Sequence, residues 1–477
     1  MKKLTIITIL SLLVLSCSQL VEDLNQNPNN PTSAPYEFTL TGAEVATIIF
    51  QTGEPARESG IMAGQFTGID RQHFALNNYL VTANTFDPTW RVIFRDVLRN
   101  IRVAEAAAIE SGIDGVGLGI LKVLEALDLG TATSLFGDIP FDQAGGLEFE
   151  NPEFESQIVV YGKIQTLLDE AIANLAVGTG RPPANTEIYF DGNPVAWTQV
   201  AYTLKARYFM HTKNYPEAYN AALNGIGSNG STHTNNMKSP HGTATDNANL
   251  YYQFFSLASR KNDLVISNFF ASLIDSNNAT NPIPTNYRGN SKTNETARYN
   301  YLLQTTVVGI QPNFNTNGFA QIDAPAQIVT YAENLLILAE SGSRANFNTG
   351  LEHLNAFRAY MASGGYITNP LMANIKYDSY VAADFNNLGI ENMDGISSDN
   401  ALLREILEER YITLFGQIEV FNDTRRTQDE SIVRVHVMPN VGSNLPQRFL
   451  IGNSEIDTNS NTPNPIPGFF ERTSVNQ

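Results

Sequence analysis

Two polar stretches of the sequence combine aromatic rings with amide, guanidinium and imidazole groups. The first lies within residues 66–87, and the second lies near residue 290, in and just after a long stretch rich in Asn, Ser, Gly and Pro. Aromatic planes stack on the apolar C–H faces of sugar rings, while amide and charged groups bond to sugar hydroxyls. The candidate ligand-binding residues are Arg71, His73, Phe74, Asn77, Asn78, Tyr79, Tyr287, Arg288, Asn290, Tyr299 and Tyr301. A purely structural role is the alternative for each of them.

Motifs for other chemistry are missing from the sequence. It contains no G-x-S-x-G nucleophile elbow, no H-E-x-x-H zinc motif and no G-x-x-x-x-G-K-[ST] phosphate loop. The six histidines are scattered; His233 and His241 share a loop, where a solvated pair is the expected arrangement. The 48 acidic residues offer many carboxylate pairs, but spacing singles out none as a glycosidase pair. We therefore predict a protein that is not an enzyme and that has no cofactor or metal site.

Five charged residues on predicted helices could form an active-site group. They are Glu333, Glu340, Arg358, Glu409 and Arg410. The alternative is that they form ion pairs between packed helices, because buried charges are normally paired. We favour this structural interpretation.

The amino terminus predicts export and a lipid anchor. Lys2 and Lys3 precede an apolar run over residues 4–15, which is too short for a membrane span of about 20 residues. Residues 1–16 therefore read as a signal peptide. The run ends in Val-Leu-Ser-Cys, which resembles a bacterial lipobox, and Cys17 is the only cysteine, so no intrachain disulfide is possible. We expect acylation of Cys17 and a tether over residues 17–35; a chance cysteine after an ordinary signal is the alternative.

Composition sets further limits. The 477 residues carry a formal net charge of −18, and such a chain repels phosphate, which disfavours nucleic acid as a partner. Hydrophobic residues make up 42% of the chain, enough for a packed core, so global disorder is excluded.

Helical periodicity dominates the remaining sequence and predicts a mostly α-helical fold. The predicted helices cover residues 88–109, 118–136, 158–175, 194–210, 216–226, 327–340, 351–361 and 400–415. Several form pairs like tetratricopeptide units, which stack to bury their apolar faces. Long irregular regions are expected at 227–297 and 364–400, and little regular structure is expected after residue 439. Strands are expected at 305–310 and 432–437.

Six segments in order resemble the SusD/RagB family of outer-membrane lipoproteins. The first contains Phe-Gly-Asp-Ile-Pro at 136–140, and the third contains Leu-Lys-Ala-Arg at 204–207 and Asn-Tyr-Pro-Glu-Ala at 214–218. The segments cover residues 121–141, 161–175, 197–222, 331–357, 406–426 and 446–464. Gly-Gln-Ile-Glu at 416–419 departs from the family wording.

The resemblance implies a fold and a role. It implies one domain over residues 36–477, a helical-repeat scaffold with ligand-binding insertions near 227–326 and 364–400. It also implies a surface lipoprotein of the outer membrane that captures a glycan and acts as the lid of a SusC-type TonB-dependent transporter. An oligopeptide ligand in the same role, a secreted polysaccharide hydrolase and a purely structural scaffold are the alternatives.

Overall fold

A computed structural model describes residues 35–477 except 147, 228–235, 258, 278–286 and 368. The expected signal peptide, Cys17 and all of the expected tether except Pro35 lie outside the described residues, as does His233. Predictions about those residues stay predictions.

The described chain is mostly helical, as the sequence predicts. Its α-helices are α1 (Tyr36–Thr52), α2 (Glu54–Met62), α3 (Arg71–Asn77), α4 (Ala83–Arg91), α5 (Arg99–Glu110), α6 (Val116–Phe136), α7 (Gln157–Val177), α8 (Pro194–His211), α9 (Tyr215–Ala222), α10 (Leu250–Ser256), α11 (Asn268–Ile274), α12 (Thr296–Leu302), α13 (Tyr331–Ala345), α14 (Phe347–Ala362), α15 (Ser398–Thr413), α16 (Glu419–Arg426) and α17 (Asn453–Thr458). A π-helical segment, Val92–Leu98, joins α4 to α5. Within the described residues, no helix is long and apolar enough to cross a membrane.

The helices form the predicted stack of pairs. Helix α6 packs on α7, α7 on α8, and α8 on α9; α9 then packs on α13, which contacts both α14 and α15. Most buried apolar residues belong to one continuous core that runs through this stack. The stack is therefore the rigid part on which the loops are placed.

Helix α6 lies at the centre of the stack and is buried on nearly every side. Gly130 is required there, because a Cβ atom at this position would lie 2.2 Å from the ring of Tyr208. The helix ends at Phe136, and the next residue, Gly137, has a φ of 87°. Glycine adopts this backbone conformation at little energetic cost. The predicted end of this helix at residue 136 is confirmed.

The charged residues on the stacked helices form buried ion pairs. Arg207 on α8 contacts both carboxylate oxygens of Glu333 on α13 at 2.6 Å. Arg426 on α16 does the same with Glu340 at 2.6 Å, and Arg410 lies 3.3 Å from Glu340. These contacts join helices that are distant in sequence.

The other two members of the predicted charged set are also held by the fold. Glu409 forms an ion pair with Arg298 at 2.6 Å, and both side chains are fully buried. Arg358 donates to the backbone oxygens of Asp378 at 2.7 Å and Lys292 at 3.0 Å. The structural interpretation is confirmed for four of the five residues as ion pairs; Arg358 is also held by the fold, but mainly through backbone oxygens, with Glu405 3.9 Å away.

Strands are short and form two-stranded antiparallel sheets in the described chain. The sheets are β1 (Phe66–Gly68) with β5 (Leu264–Ile266), β2 (Ile139–Pro140) with β3 (Phe154–Glu155), β4 (Met237–Ser239) with β9 (Ala326–Val329), β6 (Thr293–Asn294) with β10 (Lys376–Tyr377), and β7 (Leu303–Thr305) with β8 (Ile310–Pro312). Their backbone hydrogen bonds join loop segments, several of which are distant in sequence.

Both strand predictions need correction. Residues 305–310 span the turn between β7 and β8, closed by a bond from the Thr306 amide to the Gly309 carbonyl. Residues 432–437 form turns instead of a strand: the amides of Val433 and Arg434 both bond to the carbonyl of Glu430. No strand among the described residues pairs with residues 432–437.

The region expected to be irregular over 227–297 is only partly so. It contains β4, α10, β5, α11 and β6, and α12 begins at its end. The helix expected at 327–340 begins at Tyr331, because residues 326–329 pair with β4 as a strand. Residues 364–400 and the tail after 439 contain little regular structure, which confirms those two expectations.

Candidate functional site

The first candidate stretch folds as β1 and α3, and several of its side chains serve the fold. His73 is buried, with its Nε2 atom 3.5 Å from the carboxylate of Glu54 and its ring edge-on to Phe254 at 5.2 Å. The Asn77 side chain accepts from the backbone amide of Gly68 at 3.2 Å. His73 is thus closed off from solvent, whereas Asn77 is partly exposed.

Tyr79 ties this stretch to the carboxyl-terminal tail. Its hydroxyl accepts from the backbone amide of Asn440 at 2.9 Å. Its ring packs edge-on against Phe469 and Phe470, with centroids 5.8 and 5.6 Å away. Burial raises the pKa of the Tyr79 phenol, so it stays protonated at neutral pH.

Arg71 and Phe74 are the members of this stretch with half-exposed side chains. Arg71 donates to the backbone oxygen of Ser259 and lies 3.3 Å from the carboxylate of Asp263. Asn78 donates to the backbone oxygen of Phe74 at 2.8 Å. The structure thus leaves two of the candidate side chains on an open surface.

The second candidate stretch divides between two clefts. Tyr287, Arg288 and Asn290 line one cleft. Tyr301 lines the other. Tyr299 lies on α12 and borders neither of them. The sequence therefore indicated parts of two sites without showing that they are separate.

The larger of these two clefts has a volume of about 560 Å³ and is lined by Tyr301, Tyr360 and Tyr366. We call it the tyrosine cleft. Its polar lining side chains are Asn236, Lys238, Asn317, Gln321, Asp323 and Gln327. Aromatic faces beside several amide groups are the combination that sugar rings require.

Three different elements position these tyrosines. Tyr301 lies in α12, Tyr360 lies in α14, and Tyr366 follows the turn at Gly364 and Gly365, whose φ angles are 111° and 56°. The centroids of Tyr301 and Tyr366 are 6.0 Å apart. Tyr301 belongs to the buried core, and Tyr360 and Tyr366 pack against that core. The fold itself therefore fixes the positions of the three rings.

The amide groups of the cleft are fixed as firmly. Asn236 donates to the Gln327 side chain at 3.0 Å, across the pairing of β4 with β9. The Asn236 side chain also accepts from the backbone amide of Tyr331 at 2.9 Å. These bonds decide which way both amides face.

The tyrosine cleft is close to neutral. Burial raises the pKa of Tyr360 to about 12 and that of Tyr366 to about 12, so both phenols keep their protons. Burial also raises the pKa of Tyr301. Of the side chains that line the cleft, Lys238 and Asp323 are the charged ones, and they have opposite sign. The cleft therefore suits an uncharged, hydroxyl-bearing ligand.

The second cleft has a volume of about 430 Å³ and a different chemistry. We call it the charged cleft. Its charged and titratable lining residues are Arg288, Glu391, Asp394, Arg404, Glu405, Glu408, Arg434 and His436. Its apolar lining includes Ile390, Met393 and Ile432. Among the described residues, no group of His, Cys, Asp and Glu side chains is arranged to hold a metal ion.

Sequence reasoning missed most of the tyrosine cleft. Tyr360 and Tyr366 are about sixty residues away from Tyr301 in the chain, and nothing local connects them. Asn236 and Gln327 meet only because β4 pairs with β9. The one local signal was the Gly-Gly pair before Tyr366, which indicates a sharp turn that presents the next side chain.

A stack of helix pairs with ligand-sized clefts built from its loops defines a class of binding proteins, and sequence comparison names the family. Residues 28–450 match the SusD-like family described as starch-binding and associating with the outer membrane. The match spans most of the chain, so the protein belongs to this SusD-like family, whose members are nutrient-binding proteins of the outer membrane. None of the curated proteins is similar enough in sequence to match.

Solved structures share the fold. A SusD/RagB family protein from Bacteroides thetaiotaomicron has 20% identity and a TM-score of 0.64, covering 90% of this chain and 95% of that one. A SusD homologue from Bacteroides uniformis has 16% identity and a TM-score of 0.67, covering 93% and 100%. A chitin-binding SusD homologue from Flavobacterium johnsoniae has 16% identity and a TM-score of 0.64, covering 92% and 98%.

Proposed function

We propose that this protein is a surface lipoprotein that captures a glycan in the tyrosine cleft and passes it to a SusC-type TonB-dependent transporter, for which it acts as the lid. The observation that carries the proposal is the cleft itself: three tyrosines and several amides around about 560 Å³, with little net charge. Family membership supports the outer-membrane setting. The protein is a receptor, not a hydrolase.

The physical argument concerns the match between cleft and ligand. A sugar ring offers an apolar face for stacking and hydroxyls on its edge, and each buried hydroxyl needs a partner. Tyr360 and Tyr366 supply ring faces, and Tyr301 supports Tyr366 from the core. Asn236 and Gln327 supply amide donors and acceptors. A charged polymer would gain little here, because Lys238 and Asp323 offset each other.

Calorimetry with the purified chain, lacking residues 1–17, tests glycan capture. We expect at least one of a panel of starch-derived and chitin-derived oligosaccharides to bind, and Tyr360→Ala to weaken that binding at least tenfold, about 1.4 kcal/mol. The matched control is Tyr219→Ala. Like Tyr360, Tyr219 lies on a helix, but it is outside the cleft, where its hydroxyl contacts His353 at 3.0 Å. Wild-type affinity in Tyr360→Ala, or turnover of the glycan, contradicts the proposal.

The anchor and the partner need separate tests in cells. Labelled palmitate should enter the wild-type chain and not Cys17→Ser, and the variant should leave the outer-membrane fraction. A tagged wild-type chain should co-purify with a TonB-dependent transporter encoded beside it. A chain that stays in the membrane after Cys17→Ser contradicts the anchor, whereas purification without any transporter contradicts the role as a lid.

A further inference from the structure

The charged cleft differs from the tyrosine cleft in having ionic groups on its walls, and most of them already have partners. Arg404 holds the carboxylate of Asp394 through two bonds at 2.7 and 2.8 Å. Arg288 contacts Glu405 at 2.6 Å. Both pairs are formed within the fold.

Glu391 is also engaged. It accepts from the hydroxyl of Tyr380 and from the side-chain amide of Asn290. Two of the residues predicted from sequence, Arg288 and Asn290, therefore serve to fix acidic side chains of the cleft wall. Their role is to position other groups.

Glu408 is the exception among the carboxylates. It lines the cleft from α15, and it forms no hydrogen bond or ion pair with any residue that the structure describes. Burial raises its pKa to about 7, and the neighbouring Glu405 adds to the rise, while Arg288 and Arg404 offset only part of it. A cation bound beside Glu408 would stabilise its ionised form.

The described positive groups nearby do not form an ion pair with Glu408. Arg434 donates instead to the backbone oxygen of Gln428 at 2.7 Å. The pKa of His436 is lowered by burial and by the charges of Arg434 and Arg404, so its ring is neutral at pH 7. Among the described residues, Glu408 and Arg434 therefore line the cleft without an ion-pair partner, and they do not pair with each other.

Apolar side chains surround this group and remain in contact with solvent. Met393 is 70% exposed, Ile432 is 52% exposed and Ile390 is 36% exposed, although all three line the cleft. Covering these side chains with an apolar ligand group would remove their surface from water, which is favourable. A ligand that covers them needs apolar carbon of its own.

We propose that the charged cleft is a second ligand site, which binds a primary ammonium group carried on an aliphatic chain, with the ammonium on Glu408 and the chain against Met393, Ile390 and Ile432. A cation on Glu408 makes the charge-assisted bond that the fold leaves unmade. The aliphatic chain removes exposed apolar surface from water. A sugar carrying an amine would satisfy the carboxylate but would place hydroxyls against apolar side chains.

The test uses small probes and the purified chain. The probe is lysine blocked at both backbone ends, titrated by calorimetry or by NMR at millimolar concentration. We expect it to bind, its Nε-acetylated form to bind at least tenfold more weakly, and glucosamine to bind more weakly than the lysine probe. Equal affinity for the acetylated form, or tighter binding of glucosamine, overturns the proposal.

A pair of variants locates the site. Glu408→Gln should weaken binding of the lysine probe at least tenfold, whereas Asp323→Asn, which removes a carboxylate from the tyrosine cleft, should leave it unchanged. Each variant's melting temperature shows that it is folded. An unchanged affinity in Glu408→Gln, or no binding of the probe to the wild-type chain, overturns the proposal. Neither result bears on glycan capture, which is measured separately at the other cleft.

Discussion

The helix stack and the charged cleft both contain buried glutamate and arginine side chains. They differ in whether the fold provides each glutamate with an arginine partner. In the stack, both carboxylate oxygens of Glu340 lie 2.6 Å from Arg426. In the cleft, Glu408 has no such partner within the described chain. The pKa values move apart accordingly: burial alone would raise both, but arginines hold that of Glu340 down to about 2, while that of Glu408 rises to about 7.

The direction of the pKa shift distinguishes two kinds of buried carboxyl group. A carboxylate whose pKa is held down is bound tightly by the native fold, and its loss should cost stability. A carboxylate whose pKa is raised costs stability when it ionises, so its replacement by a neutral group should add stability above that pKa. The same substitution, Glu to Gln, therefore has opposite expected effects in the two regions.

The largest effect is expected for Glu340→Gln. It removes the bidentate partner of Arg426 and one carboxylate from Arg410 and Arg344. Arg426 and Arg410 are left to share Asp423, at 2.7 and 3.0 Å. Removing one partner of a buried pair costs about 3–5 kcal/mol, measurable by urea unfolding at pH 7. Because the folded pKa lies below the unfolded one, this stability is present above about pH 4.5 and is lost as the pH falls toward 2.

The control for this variant is Glu430→Gln. Glu430 also contacts Arg344, at 3.0 Å, but it is partly exposed. A partly solvated pair of this kind contributes about 0–1 kcal/mol. Equal costs for the two variants would mean that burial is not what makes the Glu340 contacts strong.

The next effect concerns Glu44, a buried carboxyl group of α1. Burial and the neighbouring Glu187 raise its pKa well above the usual value. One oxygen accepts from the Ile188 amide at 3.0 Å, and the other has no donor among the described groups. The contribution of Glu44 to the stability of the protein is thus fully present below its unfolded-state pKa of about 4.5. It is lost as the pH rises through its pKa in the folded state.

Glu44→Gln should remove this pH dependence. At pH 9 the variant should be more stable than the wild type by about 1–3 kcal/mol, the cost of an unsatisfied buried polar group. At pH 4 the two should unfold at similar urea concentrations. A wild-type chain whose stability does not fall between pH 5 and pH 9 relative to the variant contradicts this assignment.

Glu408→Gln is expected to have a smaller effect, of the opposite sign to that of Glu340→Gln. The raised pKa of about 7 means that ionisation of Glu408 costs stability as the pH rises through that value. At pH 8 the variant should be more stable by about 1 kcal/mol, because partial solvent access reduces the effect. At pH 5 the two proteins should be alike within about 0.5 kcal/mol. A large loss of stability would place Glu408 with the residues of the stack.

The sequence predicted the stack better than the clefts, for a physical reason. Helix α7 was visible because its apolar residues recur every three or four positions, and the stop at Gly137 follows from local backbone preferences. The tyrosine cleft depends on Tyr301 and Tyr366, which come together only through the packing of α12 against the turn after α14. Arg288 was predicted as a ligand contact because it lies in a polar loop, but its charge is used inside the protein.

The smallest effect is expected at Phe74, the half-exposed ring of the first candidate stretch. Phe74→Ala should change the free energy of unfolding by less than about 0.5 kcal/mol, because the ring is not part of the core. Phe254→Ala is the control: this ring packs under the guanidinium of Arg57 at 3.8 Å and against His73, and its loss should cost clearly more.

The value of the Phe74 variant lies in that small cost. When a substitution leaves stability unchanged, a fall in glycan affinity measured by calorimetry reports contact with the ligand and not damage to the fold. If affinity falls, the open surface of Arg71 and Phe74 belongs to the glycan path, and the tyrosine cleft is one part of a longer site. If it does not fall, ligand contact is confined to the clefts, and the exposure of Phe74 needs another explanation. A loss of several kcal/mol would instead show that solvent exposure does not separate the two regions.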